Sequence, residues 1–570
     1  MIVRDLAPLL TRAATRMPVV TLTGPRQSGK TTLCQALFPE YAYRTLEAPD
    51  TRALALDDPR TFLGQLPDGA IIDEIQRAPD LLSYLQGVVD DDPAPGRWIL
   101  TGSQNLLLLE SASQSLAGRT ALHELPPLTW GEIRRFAPHP ASLDEAVFAG
   151  SYPRIFDQRL DPTAWLSAYT ATYLERDVRT IVNVGDLTTF QRFVELCAGR
   201  TGQLLNYSSL ANDCGISQPT AKKWISVLEA SFIVFRLPAF HGNIRKRLVK
   251  APKLYFCDTG LTCWLLGIHE LRHLRSHPLR GAIFETWVVS ETLKNRTNRG
   301  RGLRGMAFYR DRNGVEVDLV IDHPEERTLV EAKSAATASS EMLRSARRVR
   351  DRLCGPVATG LIVVYGGDDR QQLIDGELLP WRMVRASALR DAGAIVQVMS
   401  RGRPVAGADV LALFPNKTHK SAKTDEDGTA FFDLHTIHLP MTVFVAAPGF
   451  AALLEREWIP AERKIALELT ALPGGGGVII PQATGYIPGL ASRLNPIRDS
   501  HDRTYLYADN VAIDGGRQQP VHFDPGEELH LEDADGSERR IRILDIVGRS
   551  ALVEYRREPH GDPSGQGWGP

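Results

Sequence analysis

The sequence predicts a multidomain α/β protein that ends in all-β modules, and three observations carry that expectation. A chain of 570 residues is too long for a single core. Its first third alternates apolar strand-like runs with helical stretches, as in a sheet covered by helices. After Leu389 the texture turns to short β runs punctuated by Gly, Pro and Asp.

Apolar residues make up 43% of the chain and charged residues 24%, with a net charge of −2. That is the balance of an ordinary soluble protein. It offers no global attraction to phosphate, so any nucleic-acid surface must be local. The six cysteines include no C-x-x-C pair, which reads as reduced thiols of a cytosolic protein. There is no apolar run of about 18 residues, and MIVRD does not open a signal peptide. A cytoplasmic chain without membrane contact is expected.

The stretch "MPVVTLTGPRQSGKTTLCQAL" contains G-x-x-x-x-G-K-T from Gly24 to Thr31. Val19 to Thr23 read as a buried strand and Thr32 to Leu37 as an opening helix, the context that a phosphate-binding loop requires. The expected nucleotide-binding residues are Gly24, Pro25, Arg26, Gln27, Ser28, Gly29, Lys30, Thr31 and Thr32. Lys30 would bridge the β- and γ-phosphates and Thr31 would ligate Mg²⁺. "GAIIDEIQRAP" is a second apolar strand ending in acids. Asp73 would belong to the Mg²⁺ shell and Glu74 would polarise the attacking water. ATP and Mg²⁺ are the expected cofactors.

Other phrases are as distinctive: "LTGSQ", "LAGR", "GSYPRI", "YLERDV", "LYFCDTGL" and "FETWVVSE". With "GPRQSGKTTL" and "IIDEIQ", they make residues 1 to about 385 resemble a family of bacterial and archaeal AAA-type P-loop ATPases. Members carry a winged helix and a C-terminal restriction-nuclease-like domain. The resemblance implies a γ-phosphate sensor at Ser103 or Gln104. Arg119 reads either as a surface charge or as a finger acting on a neighbouring subunit, which would imply a homo-oligomer.

From Leu205 to Phe240, apolar residues fall at helix-turn-helix spacing, with Gly215 at the turn and Ser217 capping the second helix. Gln218, Thr220, Lys222 and Lys223 would face DNA, although such units also bind proteins. From His241 to Asn313, fifteen Lys or Arg stand against five acids. That basic block, including Arg245, Lys246 and Arg247, is an expected footprint for a DNA backbone.

"GVEVDLVIDHPEERTLVEAKS" places Asp318 on one β run and Glu331 and Lys333 on the next. Residues two apart share a strand face. Convergent hard oxygens suit a divalent metal, and a lysine suits orientation of hydroxide. The resemblance implies Asp318, Glu331 and Lys333 as catalytic residues, with Glu285, Asp318 and Glu331 as metal ligands. A half-exposed hairpin with cross-strand ion pairs is the alternative.

Residues 390–471 resemble a carboxypeptidase-regulatory-like β-sandwich, in which Asp425, Asp427 and Gly428 would form a turn. "LPGGGGV" at 472–478 reads as a hinge. A small β-rich module is expected over 478–557 and a disordered tail over 558–570. Upstream, the boundaries are 1–150 for the ATPase, 151–240 for the winged helix and 241–389 for the nuclease-like domain. The leading expectation is an ATP-hydrolysing, DNA-binding protein with a Mg²⁺-dependent nuclease domain. The alternatives are a DNA-binding ATPase switch with an inactive nuclease fold, and an ATPase whose β tail captures a protein partner.

Overall fold

A computed structural model describes residues 2–103, 116–174, 187–240, 251–322, 326–353, 358–384, 394–414, 419–432, 440–458, 464–481, 484–516 and 518–557. The chain divides into two compact units, Met1–Asp391 and Ala392–Pro570. Gln104, Arg245, Lys246, Arg247 and the 558–570 tail lie outside the described residues.

The first unit opens with a parallel sheet of β1 (Val19–Thr23), β2 (Ala42–Thr45), β3 (Ala70–Asp73), β4 (Trp98–Gly102) and β5 (Thr120–Glu124). The strand order is β2-β3-β4-β1-β5 and every pairing is parallel. β1, β3 and β4 are buried at every residue. Strands covered on both faces read as unbroken apolar runs, which is why "PVVTLT", "AIID" and "WILTG" were visible as strands. Ligand chemistry on such a sheet belongs at the carboxyl ends of the strands, where Gly24, Asp73 and Ser103 fall.

Between this sheet and the next come helices Tyr207–Cys214 and Gln218–Ala230. Gly215 has φ 69°, the left-handed conformation that ends the first helix. Ser217 caps the second, accepting from Thr220 N at 3.2 Å. A small antiparallel sheet packs with them, ordered β6-β8-β7, where β6 is Gln203–Leu204, β7 Val234–Leu237 and β8 Lys253–Phe256. Two of the distinctive phrases meet here. Ser151 of "GSYPRI" donates through N and Oγ to Asp258 of "CDTG" at 2.6 and 2.7 Å. Gly150 has φ 70°, and a Cβ there would lie 2.5 Å from the Asp258 carboxylate.

A mixed sheet completes the unit: β9 (Met306–Arg310), β10 (Glu316–Asp322), β11 (Glu326–Lys333), β12 (Ala358–Tyr365), β13 (Gln371–Leu373) and β14 (Gly376–Pro380). Its order is β13-β14-β12-β11-β10-β9. The 18-residue helix Arg280–Thr297 buries Ile283, Phe284, Trp287 and Val288 in a cluster that also holds Leu319, Ile321 and Val330 of this sheet. That single apolar cluster runs from Leu128 to Val384. Among the described residues, no helix is long and apolar enough to cross a membrane.

The second unit is β-rich. One pair of four-stranded sheets contains Ala394–Ser400 and Met441–Ala446, with Val396, Val410 and Val443 in its core. The Asp425 turn forms as expected. Asp425 Oδ1 accepts from Asp427 N and Thr429 N at 3.0 Å each, and Gly428 has φ 67°. The hinge expected at 472–478 is instead interior to the strand Ala471–Ile480. This strand pairs with Ser550–Arg557 along its second half and with Pro448–Phe450. The glycines serve close approach, since a Cβ on Gly475 would meet Tyr555 O at 2.3 Å and one on Gly476 would meet Pro448 Cα at 2.9 Å.

Candidate functional site

The phosphate loop is built on backbone that side chains would obstruct. Gly24 leaves β1 with φ 145°, and a Cβ there would lie 2.3 Å from Leu125 O. Gly29 has φ 92° at the start of the helix Lys30–Leu37. Gly24 through Gly29 thus form the turn between β1 and that helix, whose first residues Lys30, Thr31 and Thr32 follow directly. Lys30 is 5% exposed, and its Nζ donates to Gly24 O and Pro25 O at 2.9 Å each. The ammonium is folded back on the loop that would cradle a phosphate.

Across from it, Asp73 collects three hydroxyls. Thr31 Oγ1 lies 3.2 and 3.1 Å from its two oxygens, Tyr43 OH donates at 2.7 Å, and Thr101 Oγ1 donates from β4. A threonine and a carboxylate held this close are a donor set for a hydrated hard cation. Glu74, at φ 58°, is turned away from the strand; its Oε2 accepts from Ser103 Oγ at 3.2 Å and from Gln76 Nε2. Gln76 also donates to Ser103 Oγ at 3.0 Å. Among the described residues the buried Ser28 hydroxyl has no hydrogen-bond partner.

Sequence reasoning missed what braces this loop. Arg4 is 6% exposed, and its guanidinium donates to Ser28 O at 2.6 Å, Pro126 O at 2.8 Å and Glu132 Oε1 at 2.8 Å. Glu132 is fully buried and also caps its own helical turn through Thr129 N at 2.8 Å. Tyr43, Gln76 and Thr101 were missed too; only Gln76, two residues past Glu74, carried a local signal. Arg119 sits at the start of β5, because Val19 pairs with Thr120 and Thr23 with Glu124. It is therefore at the opposite end of the sheet from its own phosphate loop. There it forks onto Asp90, at 2.5 and 2.9 Å.

Burial, partly offset by Glu74 and Asp73, pulls the Lys30 ammonium down to about 8. A triphosphate brought against it raises the value again. Binding of ATP therefore draws a proton onto Lys30 above that pH, and affinity falls as pH climbs further. Calorimetry in two buffers of different ionisation enthalpy at about pH 8.5 measures the uptake; equal apparent enthalpies would contradict it.

A second cluster lies on the mixed sheet. Leu319 pairs with Val330, so Asp318 and Glu331 come side by side on neighbouring strands. A bulge between Val317 and Val320 re-aims β10 at this point. Asp318 Oδ2 accepts from Ala332 N at 2.9 Å. Burial, then the Asp318 charge and a hydrogen bond to it, push the Glu331 carboxyl up to about 9. Lys333 Nζ is 3.6 Å from Glu331. Together with Glu316, Ser345 and Arg348, these three line a cavity of about 320 Å³.

Glu285 is placed differently from the expectation that it would join Asp318 and Glu331 on a metal. It does not line the cavity; its carboxylate accepts from Lys253 Nζ at 2.8 Å and Tyr255 OH at 2.5 Å. Among the described residues no three His, Cys, Asp or Glu are grouped to hold a metal ion. Lys253, from β8, was not foreseen because it lies over thirty residues upstream in another sheet. Of the proposed DNA-facing residues, Gln218, Lys222 and Lys223 are exposed, while Thr220 is half-buried with its hydroxyl 2.8 Å from Ser217.

Comparison with known proteins places these features. A model of an AAA domain matches residues 16–134, and models of two domains of unknown function, DUF8612 and DUF4143, match 140–272 and 280–384. Rv2008c of Mycobacterium tuberculosis and Mb2031c of Mycobacterium bovis, both uncharacterized proteins, are each 33% identical over 375 residues. The match covers 65% of this chain and 82% of each of theirs. The chain belongs to the family of these mycobacterial proteins. Within this family member, the AAA match and the parallel-sheet phosphate loop make the N-terminal region a Walker-type ATPase. The 3′ cyclic ADP-D-ribose synthase AaTIR of Aquimarina amphilecti is 30% identical over 161 residues, 28% of this chain and 48% of that protein. The Walker-type ATPase paby2304 of Pyrococcus abyssi overlaps 46% of this chain and 94% of its own at 14% identity. Its TM-score of 0.32 is too low to carry an argument.

Proposed function

We propose that this ATPase couples nucleotide turnover to processing of DNA, with a divalent-metal-dependent phosphodiester hydrolase on the mixed sheet. The observation that carries the reading is the cavity where Asp318 and Glu331 meet beside Lys333, Ser345 and Arg348. Two adjoining carboxylates suit one Mg²⁺, which protein sites typically hold by one or two carboxylates plus substrate phosphate. Lys333, Arg348 and Ser345 suit the phosphodiester itself. A bound divalent ion would supply a hydroxide nucleophile and offset charge on the phosphate. Lys333 would orient that nucleophile, Arg348 would hold a non-bridging oxygen, and Ala332 N fixes the rotamer of Asp318.

At the nucleotide site, Thr31 and Asp73 would hold Mg²⁺, whose role is to neutralise phosphate charge. Lys30 would leave the Gly24 and Pro25 carbonyls for the β- and γ-phosphates. Glu74 would orient the attacking water, with Ser103 and Gln76 holding it in place. We read 151–240 as the winged-helix domain, presenting Gln218, Lys222 and Lys223 to DNA, and 390–471 as the carboxypeptidase-regulatory-like sandwich. Arg119, unable to reach its own nucleotide, would act in a neighbouring subunit only after leaving Asp90.

The test is incubation of the full chain with supercoiled plasmid and Mg²⁺ or Mn²⁺, with and without ATP, beside Lys30→Ala and Asp318→Ala. Nicking is expected for the native chain and should fall at least about a hundredfold in Asp318→Ala. Nicking that survives Asp318→Ala removes the assignment. A second reading, a DNA-binding switch that does not cut, draws support from the engagement of Glu285 by Lys253. It predicts intact plasmid throughout, with DNA affinity altered by Lys30→Ala alone.

A further inference from the structure

The mixed sheet carries one residue that its local chemistry does not explain. β13 and β14 form a hairpin closed by the Leu373–Gly376 pair, so Ile374 and Asp375 are its two-residue loop. Such loops favour Gly, Asn or Asp. Ile374 is instead 105% exposed, the most exposed large apolar side chain among the described residues. Leu373 beside it packs on an apolar cluster of the sheet, so the exposure is confined to the tip. Asp375 lies 3.2 Å from Arg347 and 3.8 Å from Arg350. The tip is thereby tied to the helix Arg344–Arg352, RSARRVRDR, which carries five arginines and one acid.

That helix has two open flanks. Ala346 and Val349 are buried beneath it. On one flank Ser345 and Arg348 line the cavity that holds Asp318 and Glu331. On the other, Arg347 and Arg350 hold the hairpin. Glu341, Asp375 and Asp311 engage the other four arginines, whereas among the described residues no acid engages Arg348. We propose that this is a surface for duplex DNA, on which Ile374 is a wedge between base pairs and Arg348 grips backbone phosphate. This rests on the hydrolase reading of the cavity, and it names the substrate as double-stranded DNA unstacked near the cut. An arginine-rich ridge complements the charge of phosphate. An apolar side chain pushed between base steps unstacks them and kinks the duplex. A helix is about 10–12 Å across, which at about 3.4 Å per base pair places the wedge roughly three steps from the cavity.

The experiment uses the full chain in chelator, so that no strand is cut. The probe is a short duplex in which 2-aminopurine, whose emission rises on unstacking, replaces every adenine of one strand. Saturating native chain should raise the emission at least about twofold. Ile374→Ala should abolish the rise, Ile374→Phe should keep it, and both should melt as the native chain does because the side chain supports no core. Arg348→Ala should weaken duplex binding and lower its salt slope by about one. A rise that survives Ile374→Ala, no rise with the native chain, or binding of single strands alone overturns the proposal. Unstacking by a chain that leaves plasmid intact in Mg²⁺ and Mn²⁺ upholds the wedge and overturns the hydrolase reading. Nicking without unstacking does the reverse.

Discussion

Replacing Lys30 with alanine is expected to give a folded chain whose ATP turnover is lower by at least about a hundredfold. The ammonium is buried, and its present partners are two carbonyls of the loop. Those carbonyls can be reclaimed by water once the side chain is shortened, so the fold should persist. Stability should even become less pH-dependent. The native value near 8 lies below that of an ordinary lysine, so between the two the folded chain binds fewer protons than the unfolded one. Stability of the nucleotide-free protein therefore rises with pH across that window and is lowest below it. Lys30→Ala should flatten this slope, a result that thermal melts over a pH series will show or deny. Retained turnover in the variant would remove Lys30 from the phosphate site.

Arg4→Met is expected to cost about 3–5 kcal/mol, enough to unfold much of the N-terminal region. The reason is not the lost contact itself but what remains. Glu132 is fully buried, and without the guanidinium its charge keeps the Asp5 and Thr129 amides, at 2.7 and 2.8 Å, and the Thr129 hydroxyl at 3.3 Å, with no cation against it among these. Arg4→Met combined with Glu132→Gln removes the orphaned charge and should recover most of the loss. Nucleotide affinity should stay reduced in the double variant, because Ser28 O has lost the donor that fixes the loop. Denaturant midpoints for the three proteins test this. A single variant as stable as the native chain would show that Arg4 is no brace.

What was legible in the sequence was local. Gly24, Gly29, Lys30 and Thr31 sit within eight residues, and the strand and helix around them have matching periods, so the loop could be placed before any fold was known. Asp318 and Glu331 were legible because strand alternation and a short turn nearly determine their register. Partners distant in sequence were not. Arg4 meets Glu132 across 128 residues and Lys253 meets Glu316 from another sheet, and no spacing rule connects such pairs. Arg119 needed the direction of β5, which depends on the parallel pairing with β1. The glycine run at 474–477 failed for a different reason. Composition suggests freedom, whereas the fold uses the missing side chains to bring strands together.

The short turn Trp130–Ile133 has a consequence of its own. Its Glu132 holds Arg4 beneath the phosphate loop, while Trp130 N donates to Glu291 at 2.6 Å. Lys294, one turn further along the same helix as Glu291, donates to Leu128 O at 2.8 Å. That helix also carries Glu285, and the Trp130 ring lies 4.8 Å from Trp381, which in turn packs on Trp287. Four residues are thus bolted on one side to the floor of the nucleotide pocket and on the other to the shaft that bears an acid of the second cluster. A joint riveted on both sides has no play: shifting the pocket floor must either carry the shaft along or break buried ionic fastenings.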